Sequence, residues 1–204
     1  MVDEPSPAHN AIMVNVASIM KSVVSLVARA MYWLMGWRFD PLPAYFGDKH
    51  VIIGFPHTSN MDTVRAFTGF LIAKKTGHVM VKREWFFWPM SIVLGWLGGV
   101  PVDRSASIGV VRQMVTQFND RDEFLLAIVP EGTRKGVSTV KTGFWYIAKA
   151  AGVSIICWYL DNENRCTRWL GEVIPGESKR DDLLLIQKMY EKAGYRFPLV
   201  VSDR

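Results

Sequence analysis

Beyond Asp40-Pro41-Leu42-Pro43, short apolar runs alternate with stretches of helical periodicity, and this alternation constrains the fold more than any other feature. Val51–Phe55, Val79–Val81, Val100–Val102, Phe124–Val129, Val153–Leu160 and Arg168–Ile174 read as strands. Met61–Lys75, Trp85–Leu97, Ile108–Phe118, Phe144–Ala151 and Leu183–Lys192 read as helices. Strands interleaved with helices predict an α/β fold: a mixed, largely parallel sheet covered by helices. Proline lacks a backbone donor and restricts its neighbour, so Pro41 and Pro43 end whatever precedes them. The chain therefore divides into a segment over residues 1–38 and a domain over 39–204.

The first segment has its own pattern. From Ala11 to Trp37 it is mostly apolar, yet Asn15, Ser18, Ser22, Ser25 and Arg29 recur at spacings of three and four, with Lys21 beside them. On a helix they form one narrow polar stripe. Lys21 and Arg29 leave no charge-free stretch near the roughly 20 residues that a spanning helix needs. Asp3 and Glu4 do not suit the basic start of a secretory signal. The segment reads as an amphipathic, membrane-associated helix lying in the interface, with the stripe toward head groups. Tyr32, Trp33 and Trp37 then sit at head-group level. A helix packed on the domain and a shallow inserted hairpin are the alternatives. Location at the cytoplasmic face of the inner or plasma membrane is the matching expectation.

Composition narrows the partners. With 204 residues, half of them hydrophobic and 12% aromatic, the chain can bury a core and is not disordered. A formal charge of +5 favours anionic partners such as lipid head groups or CoA phosphates. Nucleic acid is not expected, because Lys and Arg are scattered and no binding signature is present. The four histidines and two cysteines lack metal-ligand spacing, so no metal is expected; Cys157, in an apolar run, reads as core.

Three strings at strand ends carry chemistry: His57-Thr58-Ser59-Asn60-Met61-Asp62, Val102-Asp103-Arg104-Ser105 and Pro130-Glu131-Gly132-Thr133-Arg134. Open α/β sheets bind ligands at the carboxyl ends of their strands. On one continuous helix His57 and Asp62 would point about 140° apart. Pro56–Asn60 must therefore turn, with Ser59 or Asn60 capping the helix that carries Asp62. The carboxylate can then orient an imidazole acting as general base on a hydroxyl. Arg104 offers a planar fork for phosphate, and Gly132 permits a turn whose amides can face an anion. Lys82, with Arg83, can add positive charge at the end of the second strand.

In this order the strings resemble the blocks of the glycerolipid acyltransferase family, over about Val51–Trp158. The resemblance implies catalysis by His57 and Asp62, in the family's HxxxxD motif. It implies an acceptor phosphate on Arg104, and acceptor binding by Glu131, Gly132, Thr133 and Arg134. It further implies acyl transfer from acyl-CoA or acyl carrier protein, used as co-substrate without another cofactor, to a lysophospholipid at a membrane surface. The leading acceptor is 1-acyl-glycerol 3-phosphate, with glycerol 3-phosphate or another lyso-lipid as alternatives. In place of the family's Pro-containing fourth block stands Val153-Ser154-Ile155-Ile156-Cys157-Trp158, without proline. A lipid hydrolase and a non-catalytic lipid binder are the competing classes. No elbow-type Ser or Cys nucleophile is present, which favours direct attack by the acceptor hydroxyl. Trp85-Phe86-Phe87-Trp88-Pro89 reads as core, with an acyl tunnel or membrane contact as the alternatives.

Overall fold

The computed structural model describes residues 7–56, 59–103, 107–131 and 140–198, with backbone alone for 7–15, 17, 60 and 107. Helix α1 (Pro7–Leu34) comes first. Then follow β1 (Lys49–Gly54), α2 (Asn60–Ile72), β2 (Gly77–Lys82), a 3-10 turn (Arg83–Trp85), α3 (Met90–Trp96) and β3 (Gly99–Val102). Next are α4 (Ser107–Asp120), β4 (Phe124–Ile128), α5 (Gly143–Ala151), β5 (Ser154–Asp161), β6 (Cys166–Val173) and α6 (Lys179–Lys192).

The six strands form one sheet in the order β3-β2-β4-β1-β5-β6. All neighbours are parallel except β5 and β6, which pair as an antiparallel hairpin. The expected mixed, largely parallel α/β sheet is therefore present. Central strands covered on both faces need apolar residues at every position. Val51, Ile52, Ile53, Phe124, Leu125 and Leu126 meet that need and are all buried.

Crossovers between parallel strands are right-handed, which fixes the side taken by each helix. The chain steps one way from β1 to β2 to β3, and the other way from β3 to β4 to β5. Helices α2 and α3 thus lie on one face, and α4 and α5 on the other. The packing agrees. Val51, Ile53 and Leu126 point into the core with Met114 of α4, Phe144 of α5 and Ile186 of α6. Ile52, Leu125 and Ile156 point the other way, onto Phe70 of α2. Cys157 is fully buried in the first of these cores, and burial pushes its thiol up to about 12. Where β2 and β3 begin, Gly98 (φ +76) lies so near the Gly77 carbonyl that a Cβ would stand 2.2 Å from its oxygen.

Helix α1 packs on α2, and its orientation corrects the sequence reading. Ser25, Ala28 and Tyr32 form its buried stripe, and Ser25 Oγ donates to the Ile72 carbonyl at 2.8 Å. Ser22 accepts from Lys74 Nζ at 3.1 Å. Part of the polar stripe therefore faces α2 rather than head groups. The apolar side looks outward: Ile19, Met20, Val23, Leu26 and Val27 are all more than half exposed. Tyr32 and Trp37 are core residues, whereas Trp33 alone of the three expected head-group aromatics is exposed, at 76%. Among the described residues no helix is long and apolar enough to cross a membrane.

The expected helix Trp85–Leu97 is divided, because Pro89 has no donor for an earlier carbonyl; it stands at the start of α3. The core reading of its aromatics is also overturned: Trp85, Phe87 and Trp88 are exposed.

Two buried histidines lie near the amino ends of the strands. His50 Nε2 accepts from the Gly47 amide at 2.6 Å, and its Nδ1 pairs with Ser154 Oγ at 2.7 Å. His78 Nε2 lies 2.8 Å from Arg121 Nη1, which can only donate. Burial lowers both pKa values, and the Arg121 charge adds to the effect at His78. The unfolded chain takes up these protons near pH 6.5, so below that value it binds more than the folded state does. Stability is then expected to be full above pH 6.5 and to fall as the pH drops toward 5. Urea midpoints at pH 7.5 and 5.0 check this, and replacing both residues by Gln should flatten the difference.

Candidate functional site

The carboxyl edge of the sheet carries the described members of the predicted set, Asp62, Lys82 and Glu131. Gly54, Lys82, Val102 and Ile128 end β1, β2, β3 and β4 on that edge, since the four strands run parallel. Lys82 pairs in register with Val102 and is exposed. Asp62 is in the first turn of α2, directly after β1. Glu131 is two residues past Val129 and is buried. Its turn is held from the far side of the loop, where the Lys141 amide donates to the Pro130 carbonyl at 2.8 Å. His57, Arg104, Gly132, Thr133 and Arg134 lie outside the described residues.

Asp62 has the most defined setting. Ser59, in extended conformation, is the residue that caps α2, as the sequence allowed. Asp62 sits three positions later and reaches back to it. Oδ2 accepts from the Ser59 amide at 2.8 Å, and Oδ1 accepts from Ser59 Oγ at 3.1 Å. Acid in the first turn also complements the positive end of the helix. The carboxylate is 4% exposed, so its rotamer is fixed by these contacts.

A third contact was missed in the sequence. Arg65 Nη1 donates to Asp62 Oδ1 at 3.0 Å. The Arg65 guanidinium lies over the Trp37 ring, 4.4 Å from its centroid, and the Arg65 carbonyl accepts from Tyr32 Oη at 2.6 Å. Burial raises the Tyr32 pKa, so the phenol stays protonated and can make that bond. The residues flanking the end of α1 thus support the first turns of α2 and, through Arg65, the Asp62 carboxylate. The signal available was the i,i+3 spacing of Asp62 and Arg65, common on any helix surface.

Two cavities flank the end of β4. One, about 110 Å³, is lined by Asp62, Thr63, Phe67, Pro56, Ile128 and Val129. The other is an open groove of about 910 Å³ between α4 and α5, floored by Met80, Val102 and Ile128. Its walls are mainly apolar, including Val111, Phe144 and Ile147. They share Ile128 and Val129, so a small, mostly apolar pocket that holds the fixed Asp62 carboxylate and a larger apolar groove adjoin the same strand end. Among the described residues no group of three or more His, Cys, Asp or Glu side chains is placed to hold a metal ion.

Comparison with known proteins follows the same lines. Among curated proteins nothing matches this sequence. The chain is similar in structure to the 1-acyl-sn-glycerophosphate acyltransferase PlsC from Thermotoga maritima, with a TM-score of 0.62 and 15% identity. That match covers 91% of this chain and 84% of PlsC, and it shows the shared α/β fold. The model of the Acyltransferase family matches residues 20–160, which include α1 from its middle, the sheet through most of β5, and all three motif strings. With more than half its length matched, this chain belongs to the Acyltransferase family and is an acyltransferase.

Proposed function

We propose that this acyltransferase moves a fatty acyl group from acyl-CoA or acyl carrier protein to the free hydroxyl of a phosphate-bearing lyso-glycerolipid. The proposed acceptor is 1-acyl-glycerol 3-phosphate and the product phosphatidic acid; PlsC, with the same fold, is named for a 1-acyl-sn-glycerophosphate. The observation that carries the reading is the buried Asp62 carboxylate, fixed in the first turn of α2 at the carboxyl edge, five residues after His57.

In this mechanism Asp62 orients the His57 imidazole, whose free nitrogen takes the proton of the acceptor hydroxyl. The oxygen attacks the thioester carbonyl carbon, and collapse of the tetrahedral intermediate breaks the C–S bond. The thiolate leaves with the proton held by His57. Arg104 receives the acceptor phosphate, with Lys82 adding charge; Glu131 orders the site, Gly132 and Thr133 help to bind the acceptor, and Arg134 reaches the phosphate. The apolar groove between α4 and α5 suits an acyl chain in size and lining. The outward apolar side of α1 supports contact with the membrane from which a lipid acceptor comes, while the soluble donor enters from the cytosolic side.

Release of CoA from an acyl-CoA, measured with and without lysophosphatidic acid, tests the reading. Acceptor-dependent release is expected. Ester or thioester loss independent of acceptor would make the protein a hydrolase, and no release with any lyso-lipid would sink the proposal. Within the same assay, Arg104→Ala is expected to raise the apparent KM for the phosphate-bearing acceptor about 10-fold or more while leaving that for the donor nearly unchanged. Arg104→Lys should restore part of the loss, since an ammonium keeps the charge but not the fork. Equal effects on donor and acceptor would remove Arg104 from phosphate binding.

A further inference from the structure

The segment that joins β2 to β3 is anchored only lightly, by half-buried Phe86 and Leu94 against Gly99. Neither the turn Arg83–Trp85 nor helix α3 contains a buried residue, although α3 reads Met-Ser-Ile-Val-Leu-Gly-Trp. Trp88 is 81% exposed, Trp96 84% and Ile92 65%, with Trp85 and Phe87 both above half. Single exposed apolar residues are ordinary, but a run of this kind marks an interaction surface. Its solvent-facing rings add no burial energy to the fold, so covering them is favourable.

We infer that this segment, Arg83–Trp96, is a second bilayer-contact surface, separate from α1, that seats the carboxyl edge of the sheet on an anionic lipid interface. Three features select a lipid surface as the occupant. Three of the exposed side chains are tryptophans, the residue whose amphipathic ring partitions to head-group level. Exposed Lys82 and Arg83 precede them and match anionic head groups, within a chain of net charge +5. The crossovers place α3 on the α2 face of the sheet, which is also the face that carries α1 with its own outward apolar side.

Geometry sets how the contact works. Seven helical residues rise only about 10 Å, so α3 can lie in the interface and cannot span it. The segment begins where β2 ends, at the edge that carries Asp62 and Lys82. A protein touching the bilayer through α1 alone can rotate about that helix. A second point of contact removes the rotation and presents the edge to an acceptor whose phosphate lies at head-group depth. This last consequence rests on the proposed lipid acceptor; the contact itself does not.

Flotation of the full-length protein with vesicles of phosphatidylcholine and phosphatidylglycerol tests the contact without any turnover. The double variant Trp88→Ser/Trp96→Ser removes two exposed rings and should leave the thermal midpoint unchanged. Its partitioning is expected to fall at least ~10-fold, the ratio supplied by burial of one large apolar side chain. Val23→Ser/Leu26→Ser, on the outward side of α1, measures the other contact in parallel. Unchanged partitioning of the Trp88/Trp96 variant, beside a clear loss in the α1 variant, would overturn the assignment. So would unchanged partitioning together with loss of a concentration-dependent dimer in sedimentation, which would make the patch a contact between copies. In turnover assays the Trp88/Trp96 variant should raise KM for acceptor embedded in vesicles and leave kcat and KM for a short-chain monomeric acceptor intact. If no lyso-lipid is ever acylated while the partitioning falls as expected, the proposed reaction fails and the contact stands.

Discussion

Replacing His57 by alanine is expected to lower kcat about 10²-fold or more, the range for loss of a general base. The acceptor hydroxyl is a poor nucleophile while protonated, and among the described residues no other histidine stands at that edge: His50 and His78 lie toward the opposite edge of the sheet. Both KM values should change little, because the imidazole acts on the reacting proton rather than on the phosphate or the acyl chain. Steady-state kinetics of CoA release measure kcat and both KM values. A folded variant with near-wild-type kcat would end the general-base mechanism.

Asp62→Asn is expected to be nearly as damaging to kcat, at about 10²-fold, because it disturbs an orientation rather than a contact with substrate. The carboxylate accepts from the Ser59 amide, Ser59 Oγ and Arg65 Nη1 with both oxygens. An amide keeps one of those acceptors and turns an NH₂ toward a donor. Loss of the first-turn anion and of half the cap should cost stability too, about 1 kcal/mol. Stability and orientation can be separated. Ser59→Ala removes the hydroxyl contact and leaves the carboxylate, so it should lower the urea midpoint while changing kcat less than 10-fold. Arg65→Ala leaves Oδ1 without its cation and is expected to fall between the two, with Arg65→Lys recovering part of the rate. Should Ser59→Ala cost as much activity as Asp62→Asn, Asp62 would be acting as a helix cap alone.

Much of the fold is legible in local signals. The runs Val51–Phe55 and Phe124–Val129 are apolar at consecutive positions, which only strands covered on both faces require, and both are central in the sheet. Pro56 and Pro130, just past those runs, stop them, and the motif strings follow at once. Their common edge is therefore a consequence of parallel strands and needs no knowledge of contacts. Even the cap of α2 is local, since Ser59 and Asp62 have the spacing of a capping box.

The facing of amphipathic segments was settled only in three dimensions. Periodicity shows that two sides of a helix differ, but protein core and lipid are both apolar, and it cannot say which of them an apolar side meets. In α1 the small and hydroxylated stripe at Ser25 and Ala28 packs on α2, because small side chains allow close approach and Ser25 finds the unpaired Ile72 carbonyl near the end of α2. The larger apolar side is left outside. The same ambiguity hid the exposure of Trp88 and Trp96, which composition alone assigns to a core. The support of Asp62 by Arg65, Trp37 and Tyr32 joins residues about 30 apart in sequence. Sequence determined the sheet and the edge that carries Asp62 and Glu131, through patterns that act over a few residues. Tertiary structure decided which faces are buried and what holds the carboxylate, because those depend on contacts between elements that no local pattern encodes.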